Sequence, residues 1–282
     1  MTQRIQNLSD VTGGYDVVLS DVWGVVHNGV EAFPQSCEAL ARASKAGATV
    51  VLITNSPRRS ADVITQMRAL NVADETYDRI VTSGDVTRKL IAEGPKNVFL
   101  LGPERDINLL DDLGVTVTSA QEAESIVCTG FFDDEKEVPE DYTDMLKAWV
   151  ARDLPFICAN PDLIVERGHK MIPCAGAVAA YYEQLGGKSQ IAGKPHHPIY
   201  EAAIAQAQEV RGPVERAKIL AIGDGMPTDV RGALSQELDL LYISGGIHAA
   251  EYTVGGQTDE AILKAWLTEQ NATPKFWMPR LA

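Results

Sequence analysis

Short apolar runs of strand length alternate with amphipathic segments of helix length almost from end to end of this chain. The runs are YDVVLSD, GATVVLITN, KNVFLLG, ESIVCTG, LPFICAN, SQIAGK, AKILAIGD and LDLLYIS. Such alternation predicts βα units and a mainly parallel sheet, hence an α/β fold. The helices between the runs carry ordinary punctuation. Pro34 opens and Gly47 closes PQSCEALARASKAG, and AGAVAAYYEQLGG stops at Gly186-Gly187.

Polar residues after the strands divide the chain further. In open α/β sheets ligands gather beyond the carboxyl ends of strands, and four predicted ends carry chemistry: Asp21, Thr54-Asn55-Ser56, Lys194 and Asp224. The first two lie close together in sequence, as do the last two. The gap between the pairs holds strands and helices of its own. It reads as a second α/β domain inserted into the first and able to cover its site, with 1–81 and 190–282 forming the outer domain and 82–189 the insertion. No Pro/Ser-rich linker, internal repeat or low-complexity tract marks the division.

A chain of 282 residues with 45% apolar composition has the length of about two domains and can bury two cores. Its 25 basic and 39 acidic residues give a formal charge of −14, which repels nucleic-acid backbones and anionic membrane surfaces. A small anion held by a local site is still compatible with that charge. Cys37, Cys128, Cys158 and Cys174 are widely spaced, with no C-x-x-C pair, and are expected to be reduced and mostly buried. The amino-terminal stretch has no apolar signal core and no segment reaches membrane-spanning length, so a cytoplasmic protein is expected.

The residues at the strand ends suggest one chemistry. A carboxylate such as Asp21 at the end of a strand can attack phosphorus to give an aspartyl-phosphate, although Asp after a strand is also common turn chemistry. Thr54, in LITNSP, offers a hydroxyl to an anion, and Lys194, in IAGKPHHP, offers balancing charge. AIGDGMPTDVRGA is the most informative string: its strand runs into Gly223-Asp224, and Thr228-Asp229 open the following helix. Two carboxylates facing one strand end are hard oxygen ligands that suit Mg²⁺. Gly187-Lys188-Ser189 is no phosphate-binding loop, because Tyr182 stands where that motif requires glycine. The adjacent His196 and His197 point apart in a regular element and make a poor metal pair.

Taken in order, strand-Asp21, strand-Thr54-Asn55, a long insertion, Gly-Lys194-Pro and Gly-Asp224-x-x-x-Thr-Asp229 resemble the haloacid dehalogenase (HAD) superfamily. VVHNG, LITNSPRRS, CANPD, GKPHHPIYEAA and GDGMPTDVRGA are similar to its NagD-like, p-nitrophenylphosphatase-like subclass IIA. The resemblance runs from about Tyr15 to Gly246. It implies a Rossmann-like core with a parallel sheet plus an inserted α/β cap. By it, Asp21 is nucleophile and Mg²⁺ ligand, Thr54 hydrogen-bonds the phosphoryl group, and Lys194 steadies both. Asp224 and Asp229 complete the metal site with the backbone carbonyl of Trp23. Asn55, Ser56, Arg58 and Arg59 are substrate-binding candidates. The implied partner is a small phosphorylated metabolite, with further copies of the chain, as a homo-oligomer, the one assembly left open.

One position departs from the pattern. Trp23 stands where the family has the aspartate that protonates the leaving oxygen and later activates water. An indole has no proton that titrates near neutral pH, and loss of a general acid-base group costs about 10² to 10⁴ in rate. Three readings stay open. The first is a phosphatase of reduced or leaving-group-restricted activity, with His27 as the candidate substitute acid. The second is a metal-independent, dehalogenase-like or other covalent hydrolase. The third is a catalytically weak phosphate-binding regulatory protein. The cap loops Gly130 to Glu137 and Cys158 to Ala177 are where substrate choice is expected.

Overall fold

The computed structural model describes residues 2–282. Its strands, in chain order, are β1 (Gln3–Arg4), β2 (Val17–Ser20), β3 (Thr49–Thr54), β4 (Arg79–Thr82), β5 (Asn97–Leu101), β6 (Thr116–Val117), β7 (Ser125–Cys128) and β8 (Phe156–Cys158). There follow β9 (Ile164–Arg167), β10 (Lys170–Pro173), β11 (Ser189–Ile191), β12 (Ile219–Gly223), β13 (Asp239–Ile243), β14 (Thr253–Val254), β15 (Gln257–Thr258) and β16 (Phe276–Met278). All eight apolar runs of the sequence are strands, and the fold is the expected α/β class. Eight further strands, β1, β4, β6, β9, β10, β14, β15 and β16, are two to four residues long and carry no apolar run of the kind that marks the other eight.

The chain forms two compact units. One comprises the chain up to Thr54, Ile64–Val81 and Tyr200–Ala282; the other comprises Asn55–Val63 and Thr82–Ile199. The first is built on a seven-stranded sheet of order β1-β16-β13-β12-β2-β3-β4. Its central strands β12, β2 and β3 pair in parallel, and each is buried along its whole length. Sequences such as Thr-Val-Val-Leu-Ile-Thr suit that position, because β-branched side chains pack well on a pleated surface covered on both faces. Helix Pro34–Lys45 joins β2 to β3, with proline in its first turn. Ser36, Ala39, Leu40 and Ala43 form its buried stripe at helical spacing. Gly47 at φ +104° then turns the chain into β3, a conformation that glycine adopts without steric cost.

The second unit has its own parallel sheet, of order β11-β8-β7-β5-β6, with an apolar cluster on each face. Phe131, Leu146, Trp149, Phe156 and Tyr182 belong to one, and Ile91, Val98, Leu109, Val127 and Ile157 to the other. The antiparallel pair β9-β10 adds a separate hairpin. Segment Asn55–Val63 belongs to this unit because its polar groups are satisfied there. Ser60 N–H donates to Asp85 at 3.0 Å and Asn108 donates to Asp62 at 2.8 Å. Among the described residues all four cysteines are unpaired, three of them buried, and no helix is long and apolar enough to cross a membrane.

Leu52 on β3 is fully buried, so Leu52→Ala is expected to cost about 2 to 5 kcal/mol through lost burial and a cavity. Val254→Ala, at an exposed position, is expected to stay within about 0.5 kcal/mol of the wild type. Urea unfolding of the two variants checks the contrast.

Candidate functional site

Because β2 and β12 are direct neighbours, their carboxyl ends release Asp21 and Asp224 side by side. The Asp21 N–H donates to the Ile222 carbonyl at 2.8 Å, which carries the ladder one residue past β2 and fixes where the Asp21 side chain leaves the sheet. Asp229 reaches the same place from Met226–Val230, a single π-type turn after Gly225. One ligand atom from each of Asp21, Asp224 and Asp229 lies within 4.8 Å of the others, and all three residues are buried.

Backbone donors and missing side chains hold the carboxylates. Ile247 N–H donates to Asp224 Oδ2 at 2.9 Å, and Gly225 N–H donates to Asp229 Oδ2 at 3.0 Å. A β-carbon on Gly246 would stand 1.9 Å from Asp224 Oδ2, and one on Gly223 would stand 2.3 Å from the Asp229 side chain. Gly24, at φ +86°, likewise leaves only 2.5 Å to Asp224 Oδ2, so the Trp23-Gly24 peptide passes directly beside the acidic cluster. Buried carboxylates this close repel one another, and a cation among them would offset that repulsion. Oxygen-only donors of this kind fit a hard divalent ion such as Mg²⁺ or Ca²⁺. Thr54 ends β3, the neighbour of β2 on its other side, and is buried, so its hydroxyl stands at the third of three adjacent strand ends.

The loop after Asp21 explains how tryptophan is accommodated. The half-buried Trp23 lays its indole over Gly29, where a β-carbon would be 2.4 Å from the ring. It also meets the His27 imidazole edge-on at 5.2 Å between centroids. His27 is buried, and its Nδ1 accepts the Gly29 N–H at 3.0 Å, which puts the proton of the neutral ring on Nε2. Burial pushes its pKa down to about 4. The ring is therefore uncharged near neutral pH.

The other candidates lie in the second unit. Asn55 does not offer its amide to a ligand: it donates to Asp162 Oδ1 at 2.9 Å and to the Lys194 carbonyl at 3.1 Å, and it accepts the Lys194 N–H at 2.7 Å. That clamp fixes the backbone of Lys194, whose own side chain is buried. The Ser56 hydroxyl accepts the Arg58 N–H at 3.3 Å, and Arg59 stands 3.9 Å from Asp111 at the surface. Arg58 lies in the field of the buried Asp106. Asp162, which the CANPD motif contained but spacing did not single out, emerges as a partner of Asn55. His248, which no local pattern marks, accepts the Met226 N–H through Nε2 at 3.1 Å. Burial lowers the His248 pKa.

Parallel strands, aspartates at the ends of two of them and a third on the turn beyond define a hydrolase of the haloacid dehalogenase type. Models of haloacid dehalogenase-like hydrolases match residues 18–116 and 191–265. The crystal structure of a haloacid dehalogenase-like hydrolase from Brucella suis 1330 superposes with a TM-score of 0.89 at 50% identity, covering 99% of this chain and all of that one. The chain belongs to this family. NagD from Escherichia coli K-12 has the same fold, with a TM-score of 0.69 at 22% identity over 94% of this chain and 96% of that one. The 5′-nucleotidase YutF of Bacillus subtilis is 23% identical over 241 residues, 84% of this chain and 90% of that protein. The resemblance to the NagD-like subclass thus holds beyond the motifs that first carried it.

Gly246→Ala would push a methyl group into Asp224 Oδ2 and is expected to weaken divalent-cation binding by about 10- to 100-fold, as displaced support of a ligand does. Gly13→Ala, with nothing within 4 Å, should leave it unchanged. Calorimetric titration of both variants checks this.

Proposed function

We propose that the chain is a Mg²⁺-dependent phosphohydrolase acting on a small phosphorylated metabolite through an aspartyl-phosphate on Asp21. The observation that carries the reading is the convergence of Asp21, Asp224 and Asp229 at the carboxyl end of the parallel sheet. The carboxylate of Asp21 attacks phosphorus, the P–O bond to the leaving group breaks, and that group departs as an oxyanion that takes its proton from water. The Thr54 hydroxyl donates to a phosphoryl oxygen, and Lys194 supplies positive charge to the same group. Asp21, Asp224 and Asp229, with the Trp23 carbonyl, would hold the cation. When bound, Mg²⁺ offsets the negative charge of the nucleophile and of the phosphate it meets. Water then attacks phosphorus, the P–O bond to Asp21 breaks, inorganic phosphate is released, and the proton lost by the attacking water passes to solvent, which regenerates the Asp21 carboxylate.

Trp23 sets the limits of this chemistry. Its indole delivers no proton to the departing oxygen, and its contacts with Gly29 and His27 keep the ring seated in the loop. Good leaving groups are therefore favoured: aryl oxides, whose conjugate acids have a pKa of about 10, and still better acyl or enol phosphates. A metal-independent dehalogenase would have no use for three converging carboxylates, and their presence counts against that alternative.

Hydrolysis of 4-nitrophenyl phosphate by the full chain tests the reading. Turnover is expected with Mg²⁺, with loss on chelation and on Asp21→Asn. Turnover undiminished by either change would contradict it. Trp23→Asp, which restores an acid in the loop, is expected to raise hydrolysis of alkyl phosphates by up to about 10²-fold. A folded, Mg²⁺-binding Trp23→Asp variant with no gain on alkyl esters would show that the tryptophan is not what limits them.

A further inference from the structure

The turn that carries Asp229 is closed only partly from within. Val230 N–H donates to the Gly225 carbonyl at 3.0 Å, and Gly225 N–H is taken by Asp229 itself. The Met226 N–H, at the start of the turn, is one of the donors that a helical turn cannot satisfy internally, and a buried donor of this kind needs a partner. Its partner is His248 Nε2, at 3.1 Å.

His248 ends a short loop that serves the other carboxylate as well. Two residues earlier Gly246 packs against Asp224, and one residue earlier Ile247 N–H donates to Asp224 Oδ2. Three consecutive residues after β13 therefore grip both Asp224 and the turn that bears Asp229. The imidazole is seated in its turn by aromatic packing. Its centroid lies 5.2 Å from Trp266. Trp266, on helix Glu260–Glu269, stacks with Tyr242 at 6.3 Å and meets Tyr252 edge-on at 5.2 Å. The hydroxyls of these two tyrosines are hydrogen-bonded at 2.8 Å. The acceptor that fixes the turn is thus anchored in a rigid aromatic group outside the acidic cluster.

We propose that His248 is a positioning residue for the cation site: by accepting the Met226 N–H it sets the register of the turn and hence the distance of Asp229 from Asp224. The proposal rests on reading the three aspartates as a divalent-cation site. It assigns His248 no contact with the ion or the substrate. Supporting partners of this kind typically contribute about 10- to 100-fold in metal affinity, and a fixed turn is what makes two ligands on different segments act together.

The test is calorimetric titration of metal-stripped full-length protein with Mg²⁺ alone, alongside thermal unfolding without metal. His248→Leu keeps apolar contact with Trp266 but has no acceptor. His248→Gln places an amide oxygen close to where Nε2 stood. The leucine variant is expected to bind Mg²⁺ about 10- to 100-fold more weakly, with a metal-free melting temperature like that of the glutamine variant, which retains most of the affinity. Raising Mg²⁺ should recover the hydrolysis lost by the leucine variant, because affinity and not chemistry is impaired. Equal Mg²⁺ affinity in wild type and leucine variant would overturn the proposal, as would equal losses in both variants. If the leucine variant does not fold, His248→Ala takes its place under the same criteria. Absence of Mg²⁺ binding by the wild type itself would overturn the cation reading along with the role of His248, which separates the two failures.

Discussion

Three carboxylates brought within 4.8 Å of each other in a buried place are the constraint on which the rest of the first unit depends. Their mutual repulsion would drive them apart, so the surrounding structure must hold them together. It does so with backbone and with absent side chains. Asp224 is held between Gly24 and Gly246 and receives the Ile247 N–H, and Asp229 is held beside Gly223 and receives the Gly225 N–H. The parallel pairing of β2 with β12 supplies the common origin. A hard divalent cation placed among the oxygens would offset this repulsion, which is why the cluster supports the proposed metal-dependent reading.

The same economy governs the tryptophan. A bulky ring in the loop beside Asp21 must be given room, and Gly29 gives it, at φ +82° and with no β-carbon to meet the indole. His27 completes the seat while its Nδ1 is tied to the loop backbone. Trp23 is thus an integral part of the loop that also carries the Asp21 carboxylate and the peptide beside Asp224. A tryptophan at position 23 and the three-carboxylate cluster are physically compatible in one protein.

The fold was legible in the chain wherever strands were long and buried on both faces, as at β3 and β12, because the apolar run is then unbroken. It was not legible at β4 or β16, whose few residues form strands by pairing at or near a sheet edge. Within the candidate site, Asp21, Asp224 and Asp229 were legible because carboxylates that follow apolar runs in a fixed order exceed what turn chemistry alone requires. Gly246 and His248 were not, since their roles arise from approach through space and leave no local period. Asn55 lay between the two cases. Its polarity directly after a strand was visible in the chain, but only the structure shows its amide engaged with Asp162 and the Lys194 backbone.

Cleavage without a proton from residue 23 is the central claim. The dependence of kcat/KM on leaving-group pKa, measured at saturating Mg²⁺ over a series of aryl and alkyl phosphate monoesters, tests it most directly. A steep fall in rate as the leaving group becomes more basic is the predicted result. Equal rates across aryl and alkyl esters would contradict the claim, because some other group would then be supplying the proton.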